Sequence, residues 1–135
     1  MEKIIEIPAS EPNAKGEKVK IKVHLKATAN VPRMYRIWFQ RDIIKDMQKL
    51  KVAAKKAKHK KQEFGVEDLS IFENVAYCMA RLGDPENTPK NINDWLDQFS
   101  TFSIYEVLPD ILELWELNLQ TTSTSKKNLI QVTGK

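Results

Sequence analysis

Nucleophilic or metal chemistry in this 135-residue chain has few residues to draw on: one cysteine, Cys78, and two histidines, His24 and His59. A Ser, Cys or Thr nucleophile needs a base held beside it, and a structural zinc site needs a set of four His or Cys ligands. His24 sits in a strand-like run and His59 inside a lysine tract, so neither is placed to activate a nucleophile, and the zinc set is incomplete. A lone cysteine excludes an internal disulfide and fits a reducing compartment. Gly16, Gly65, Gly83 and Gly134 are scattered singly, so no Gly-rich phosphate cradle can be drawn. The carboxylate pairs Asp94/Asp97 and Glu113/Glu116 are spaced to share a helix face. Without a third ligand or a Gly-rich loop they read as solvated acid. The expectation is a protein that is not an enzyme and holds no cofactor and no metal.

The residues with the strongest chemical character are lysines. Residues 45–61 carry 8 Lys and a single acid, Asp46, whereas residues 62–120 carry 2 basic and 12 acidic side chains. A basic first half and an acidic second half either attract within the fold or face different partners. Lys49, Lys51, Lys55, Lys56, Lys58, Lys60 and Lys61 form a basic surface that could neutralise phosphates, and a small basic nucleic-acid-binding protein using Lys45–Lys61 is the alternative reading. Arg, the usual reader of base edges, is missing from the tract, and the nearby Tyr35, Trp38 and Phe39 belong to an apolar stretch. A solvated or protein-binding face is therefore weighed above nucleic acid.

The elements that must carry these residues follow from periodicity. Val19, Ile21, Val23 and Leu25 alternate with Lys and His, the pattern of a half-buried strand, and KIIEI over 3–7 supplies a second one. PASEPNAKGE between them is rich in turn formers, which predicts a hairpin. From Val31 the period becomes helical: Phe39, Ile43, Met47, Leu50, Ala54 and Ala57 predict one long helix to about residue 61, with Pro32 in its first turn. A second helix presents Leu69, Phe72, Val75, Met79 and Leu82 and ends at Gly83. NINDWLDQF forms a short third helix, and a fourth runs from Ser103 past Pro109 to Leu119, burying Ile104, Leu108, Ile111, Leu112, Trp115 and Leu119. Trp38, Trp95, Trp115 and Cys78 all fall where core residues are expected.

The predicted fold class is α+β: an N-terminal β-hairpin or small antiparallel sheet packed against about four helices. One globular domain is expected over 1–122, with its β part at 1–28 and its helical part at 31–119, and 123–135 is expected to be a flexible tail. The start MEKIIEIPAS lacks the apolar core of a signal peptide, and no apolar run is long enough to span a bilayer, so no membrane is expected as a partner.

The run SIFENVAYCMARLGDPENTPKNINDWLDQFSTFSIYEVLPDILELWELNLQTTSTSKKN, with RIWFQRDIIKDMQKL upstream, resembles the tail assembly chaperones of long-tailed phages and prophages of Gram-positive bacteria. The likeness spans most of residues 33–128 and contains no catalytic motif; the lysine tract has no clear counterpart in it. The resemblance implies a chaperone in the host bacterial cytoplasm, absent from the mature virion. Such a chaperone coats the long, helix-rich tape measure protein and keeps it soluble until the tail tube polymerises around it. It also leaves open contacts with the major tail protein, self-association, and a longer form made by ribosomal frameshifting, for which Lys126-Lys127-Asn128 can be encoded as A-AAA-AAC. A helical client needs an apolar groove, and Tyr77, Phe102, Tyr105, Leu114 and Leu117, which lie off the main stripes, are the expected client-binding residues.

Overall fold

A computed structural model describes residues 1–60 and 63–133, with side chains at 1–59 and 63–119. Its order is β1 (Glu2–Pro8), β2 (Lys20–Lys26), α1 (Val31–Phe39), α2 (Ile43–Lys60), α3 (Val66–Gly83), α4 (Ile92–Leu96) and α5 (Ile104–Thr133), an α+β fold that is mostly helical. Among the described residues no helix is long and apolar enough to cross a membrane.

The strands pair antiparallel, with Ile5 opposite Val23 and Ile7 opposite Ile21. Strand periodicity puts Ile5, Ile7, Val23 and Leu25 on the buried face, while Glu2, Ile4 and Glu6 face out opposite Lys26, His24 and Lys22. In the connection, Asn13 accepts hydrogen bonds from the Lys15 and Glu17 N–H groups, and Gly16 takes the left-handed conformation at φ 76°.

The single helix expected over 31–61 is two. Gln40 turns left-handed at φ 56°, its N–H donating to the Arg36 carbonyl, and the chain restarts as α2 with the Asp42 carboxylate accepting from the Ile44 N–H. The apolar three-and-four spacing runs through the corner because both helices bury into one core, Tyr35 from α1 and Ile43, Met47 and Leu50 from α2. Periodicity reports which side is buried, and here the buried side survives a change of axis.

α3 is the central helix: Ile71, Phe72 and Val75 through Ala80 are all buried. At its end Gly83 lies so close to β2 that a Cβ would sit 2.0 Å from the His24 carbonyl oxygen, so helix and strand meet at that distance only without a side chain. Leu69, expected in the core stripe, is exposed in the first turn, before α3 enters the core. Asn91 caps α4 by accepting from the Asn93 and Asp94 N–H groups. The residues after α4 return to β1: Ser10 N–H donates to the Gln98 carbonyl and Ser100 N–H to the Pro8 carbonyl.

α5 runs through Pro109 and buries Ile104, Val107, Leu108, Ile111, Leu114 and Trp115. Leu119, expected inward, is exposed. The expected end of the fold near 122 does not coincide with the end of the helix, because the α5 backbone continues to Thr133. Once packed turns have nucleated a helix, each further residue adds a hydrogen bond at little cost and needs no apolar stripe. The rest of the expected tail, 134–135, lies outside the described residues.

The Gly83 contact generates a test. Gly83→Ala forces α3 and β2 apart and is expected to destabilise the fold by about 1–3 kcal/mol, the usual cost of overpacking, measured as a lower urea midpoint. An unchanged midpoint would contradict the close approach.

Candidate functional site

The expected client-binding residues separate into two groups. Tyr77 is 3% exposed and Leu114 3% exposed, so both belong to the core and are corrected here. An off-stripe position on α3 is interior because α3 is covered on most sides; the buried face of α5 is likewise wide enough to include Val107 and Leu114. Tyr77 packs against Trp95 with ring centroids 5.4 Å apart, and its hydroxyl donates to the Pro89 carbonyl, which ties the 84–91 loop to α3. Phe102 is half-buried and stacks on Phe72 at 5.1 Å and on Phe99 at 5.6 Å, so it is committed to the aromatic cluster around Trp95.

Tyr105 and Leu117 do lie at the surface, Tyr105 being 64% exposed. The Tyr105 ring meets Phe64 edge-on at 5.4 Å, and both border a cleft of about 290 Å³ between the second half of α2 and the first turns of α5. Ala54 and Ala57 form its α2 wall, Leu108 and Leu112 its α5 wall, and Lys58 stands at its rim. Two alanines in register on α2 leave the space that larger residues would have filled. Phe64 comes from the segment before α3, which periodicity does not reach. Its signal was a lone aromatic flanked by Glu63 and Gly65.

The basic surface is divided as well. Lys49 Nζ lies 2.9 Å from Glu67 and Lys51 Nζ 2.8 Å from Glu116, while Lys3 on β1 meets Asp110 and Glu113 of α5. The basic and acidic halves thus contact within the fold. Lys55, Lys56 and Lys58 are exposed and pair with no carboxylate among the described residues; the Lys60 side chain and Lys61 lie outside them.

Sequence reasoning missed the buried polar cluster. Asp46 is buried among apolar residues and is held by three hydrogen bonds: the Tyr35 hydroxyl at 2.7 Å, Arg41 Nε at 2.7 Å and Arg41 Nη2 at 2.9 Å. Its signal was spacing, since Asp46 follows Ile43 by three and precedes Leu50 by four, the face that enters the core, where a carboxylate requires partners. Burial pushes the Asp46 carboxyl up, but the hydrogen bonds from Arg41 and Tyr35 outweigh it and leave the group below its ordinary 3.8. Burial, then the bond to Asp46, pushes the Tyr35 hydroxyl above its ordinary range. This cluster locks the α1–α2 corner, and Tyr35 is fully buried beneath it.

Cys78 is buried with Sγ 3.8 Å from the Val31 carbonyl oxygen, and burial pushes its thiol up to about 12, so it stays protonated at neutral pH. Among the described residues no group of three His, Cys, Asp or Glu side chains is arranged to hold a metal ion. Trp95 and Trp115 are core residues, while Trp38 is half-exposed beneath the Arg81 guanidinium at 4.1 Å from its ring centre. No protein-family model, no curated protein and no solved structure matches this chain.

A carboxylate held below its ordinary value adds stability that is present above that value and is lost as pH falls through its folded-state value. The fold is therefore expected to weaken on acidification below about pH 3.8. Asp46→Asn should cost about 1–3 kcal/mol at pH 7, because one charge-assisted set is removed while Arg41 can still reach water. Urea unfolding between pH 2 and 7 checks this: the variant should show a shallower acid loss than the parent, and parallel curves would contradict the role of Asp46.

Proposed function

We propose that this chain is a non-enzymatic phage tail assembly chaperone. Its client is the tape measure protein, which it keeps soluble in the host cytoplasm until the tail tube polymerises around it, without joining the finished virion. The observation that carries this reading is the apolar cleft between α2 and α5, where Tyr105 and Phe64 border a floor of Ala54, Ala57, Leu108 and Leu112. A row of apolar side chains from a helical client suits such a cleft, since helix-in-groove binding rests on anchors spaced three and four residues apart. Lys58 at the rim suits a client with an acid or a helix C-terminus beside its apolar stripe. The resemblance to tail assembly chaperones read from the sequence over most of residues 33–128 points to the same client.

Nucleic-acid binding through α2 draws on Lys55, Lys56 and Lys58, which pair with no carboxylate among the described residues. Against it stand Glu63, Glu67 and Asp68, which share a groove with Lys45, Lys49 and Lys56 and would repel phosphates there.

Coexpression with the tape measure protein tests the reading. The parent chain should keep the tape measure protein in the soluble fraction, and Tyr105→Asp or Ala57→Glu, each folded by circular dichroism, should lower its soluble yield several-fold. Failure of the parent to solubilise it would overturn the client, and undiminished yield with both variants would overturn the cleft.

A further inference from the structure

Along the outer edge of β1 the backbone from Glu2 to Glu6 has no hydrogen-bond partner among the described residues. Main-chain bonds at the two ends of the β1–β2 ladder fix its phase: the Ala27 N–H donates to the Met1 carbonyl at 2.8 Å and the Ala9 N–H to the Val19 carbonyl at 2.9 Å. Odd-numbered residues of β1 therefore bond to β2, and Glu2, Ile4, Glu6 and Pro8 turn their main-chain groups to the opposite side. Pro8 bears this out, because its carbonyl accepts from the Ser100 N–H, and the Ser10 N–H donates to the Gln98 carbonyl in the same direction. Residues 98–100 thus extend the sheet at that end as an antiparallel bridge, with Ala9 opposite Phe99. No backbone bond carries this pairing on to Glu6, and the chain goes on to start α5 at Ile104. What stays open is a stretch of five residues, about 17 Å long at the strand rise of about 3.4 Å per residue.

Sheet edges are ordinarily guarded by charge, proline, a bulge or a covering element. On β2 the end of α3 does this, since the His24 carbonyl, which points away from β1, lies against Gly83. On β1, Pro8 and residues 98–100 guard only the far end. α5 passes on the core side, where Lys3 reaches Asp110 and Glu113, and Glu2, Ile4 and Glu6 are all exposed, Ile4 by 60%. N–H and C=O groups repeating at every second residue are matched by an extended polypeptide, whereas a helix has its own groups bonded internally. A second copy is the partner that the glutamates guard against. Antiparallel pairing of two β1 strands over residues 2–6 is centred on Ile4 and sets Glu2 against Glu6 of the other copy twice, and like charges directly opposite are destabilising. A shifted register runs onto Pro8, which has no N–H and whose carbonyl already bonds to Ser100. We infer that residues 2–6 of β1 receive an extended strand of another protein, with an apolar residue opposite Ile4 and no acid opposite Glu2 or Glu6. This site goes beyond the helix-binding cleft between α2 and α5 and does not depend on it.

Titration of the full, isotope-labelled chain with synthetic seven-residue peptides, followed by NMR amide exchange, tests this. The first peptide carries Thr, Val and Thr at alternate positions on one face, the second has Glu in place of both Thr, and the third is the first with N-methyl groups on the amides of those three residues. The first is expected to bind at least about ten-fold more tightly than either of the others, because they oppose like charges or lose main-chain donors. At saturation the Ile4 and Glu6 amides should exchange about ten-fold more slowly, while those of Ile5 and Ile7, already bonded to β2, stay as they were. Ile4→Pro removes an N–H that β2 does not use and should abolish binding; Ile4→Lys, which guards the edge by charge, should weaken it by about ten-fold and serves if the proline variant does not fold. The inference is overturned if the first peptide does not bind, if the N-methylated peptide binds equally well, or if slowing falls on Lys20 and Lys22 at the edge of β2. Slow Ile4 and Glu6 amides in a self-associated chain without peptide, with sedimentation showing a dimer, would assign the edge to a second copy and overturn it too. None of these outcomes bears on the α2–α5 cleft, which coexpression tests separately.

Discussion

The burial of α3 is the constraint on which the rest of the molecule depends. From Ile71 to Ala80 this helix has core residues at nearly every position, and β2, α1, α2, α4 and α5 all pack against it. Burial of that extent is the main source of apolar free energy in a domain of this size. It also fixes geometry. Gly83 sets how closely β2 approaches, the Asp46 cluster sets how α1 turns into α2, and the bond from Tyr77 to Pro89 sets where the chain turns back toward α4. Among the clefts left at the surface are one on the outward face of α2 and one in the seam where α2 meets the first turns of α5.

Charge is organised around the same frame. Lys3, Lys49 and Lys51 reach across to carboxylates on α5 and α3. Exposed pairs of this kind contribute little stability, about 0–1 kcal/mol each, so their use here is to orient surfaces. They divide the lysines of α2 into those committed within the fold and those left for a partner, and that division gives the two faces of α2 different tasks. The cleft toward α5 is lined mostly by apolar side chains, while the outward cleft mixes Ile44, Val52 and Ala53 with lysines and carboxylates.

Elements whose burial follows a simple period were legible in the sequence. The β1–β2 hairpin, the helix ending at Gly83, the short helix α4 and the Trp95 and Trp115 core positions all follow from alternation or three-and-four spacing. The α1–α2 corner did not, because the left-handed turn at Gln40 leaves the pattern of buried residues unbroken. The surface assignment failed at Tyr77 because α3 is enclosed on several sides and has no free remainder, and at Leu114 because the buried face of α5 is wider than its apolar stripe; Phe102 lies half-buried in the segment before α5, where stripes do not apply. Tyr105 was legible as an off-stripe residue on a helix covered on one side only. The clefts themselves were not, since Phe64 and Ile44 reach them through the way separate elements pack.

The central claim is that this chain works by holding a helical protein in the seam between α2 and α5. Hydrogen exchange read by mass spectrometry, on the chain alone and on its complex with the tape measure protein, addresses that claim most directly. The account predicts that amides over 52–59 and 104–112 slow on binding by about ten-fold or more, while the core of α3, already protected, changes little. Unchanged exchange over both segments, with slowing confined to the outer face of the β1–β2 hairpin, would contradict it.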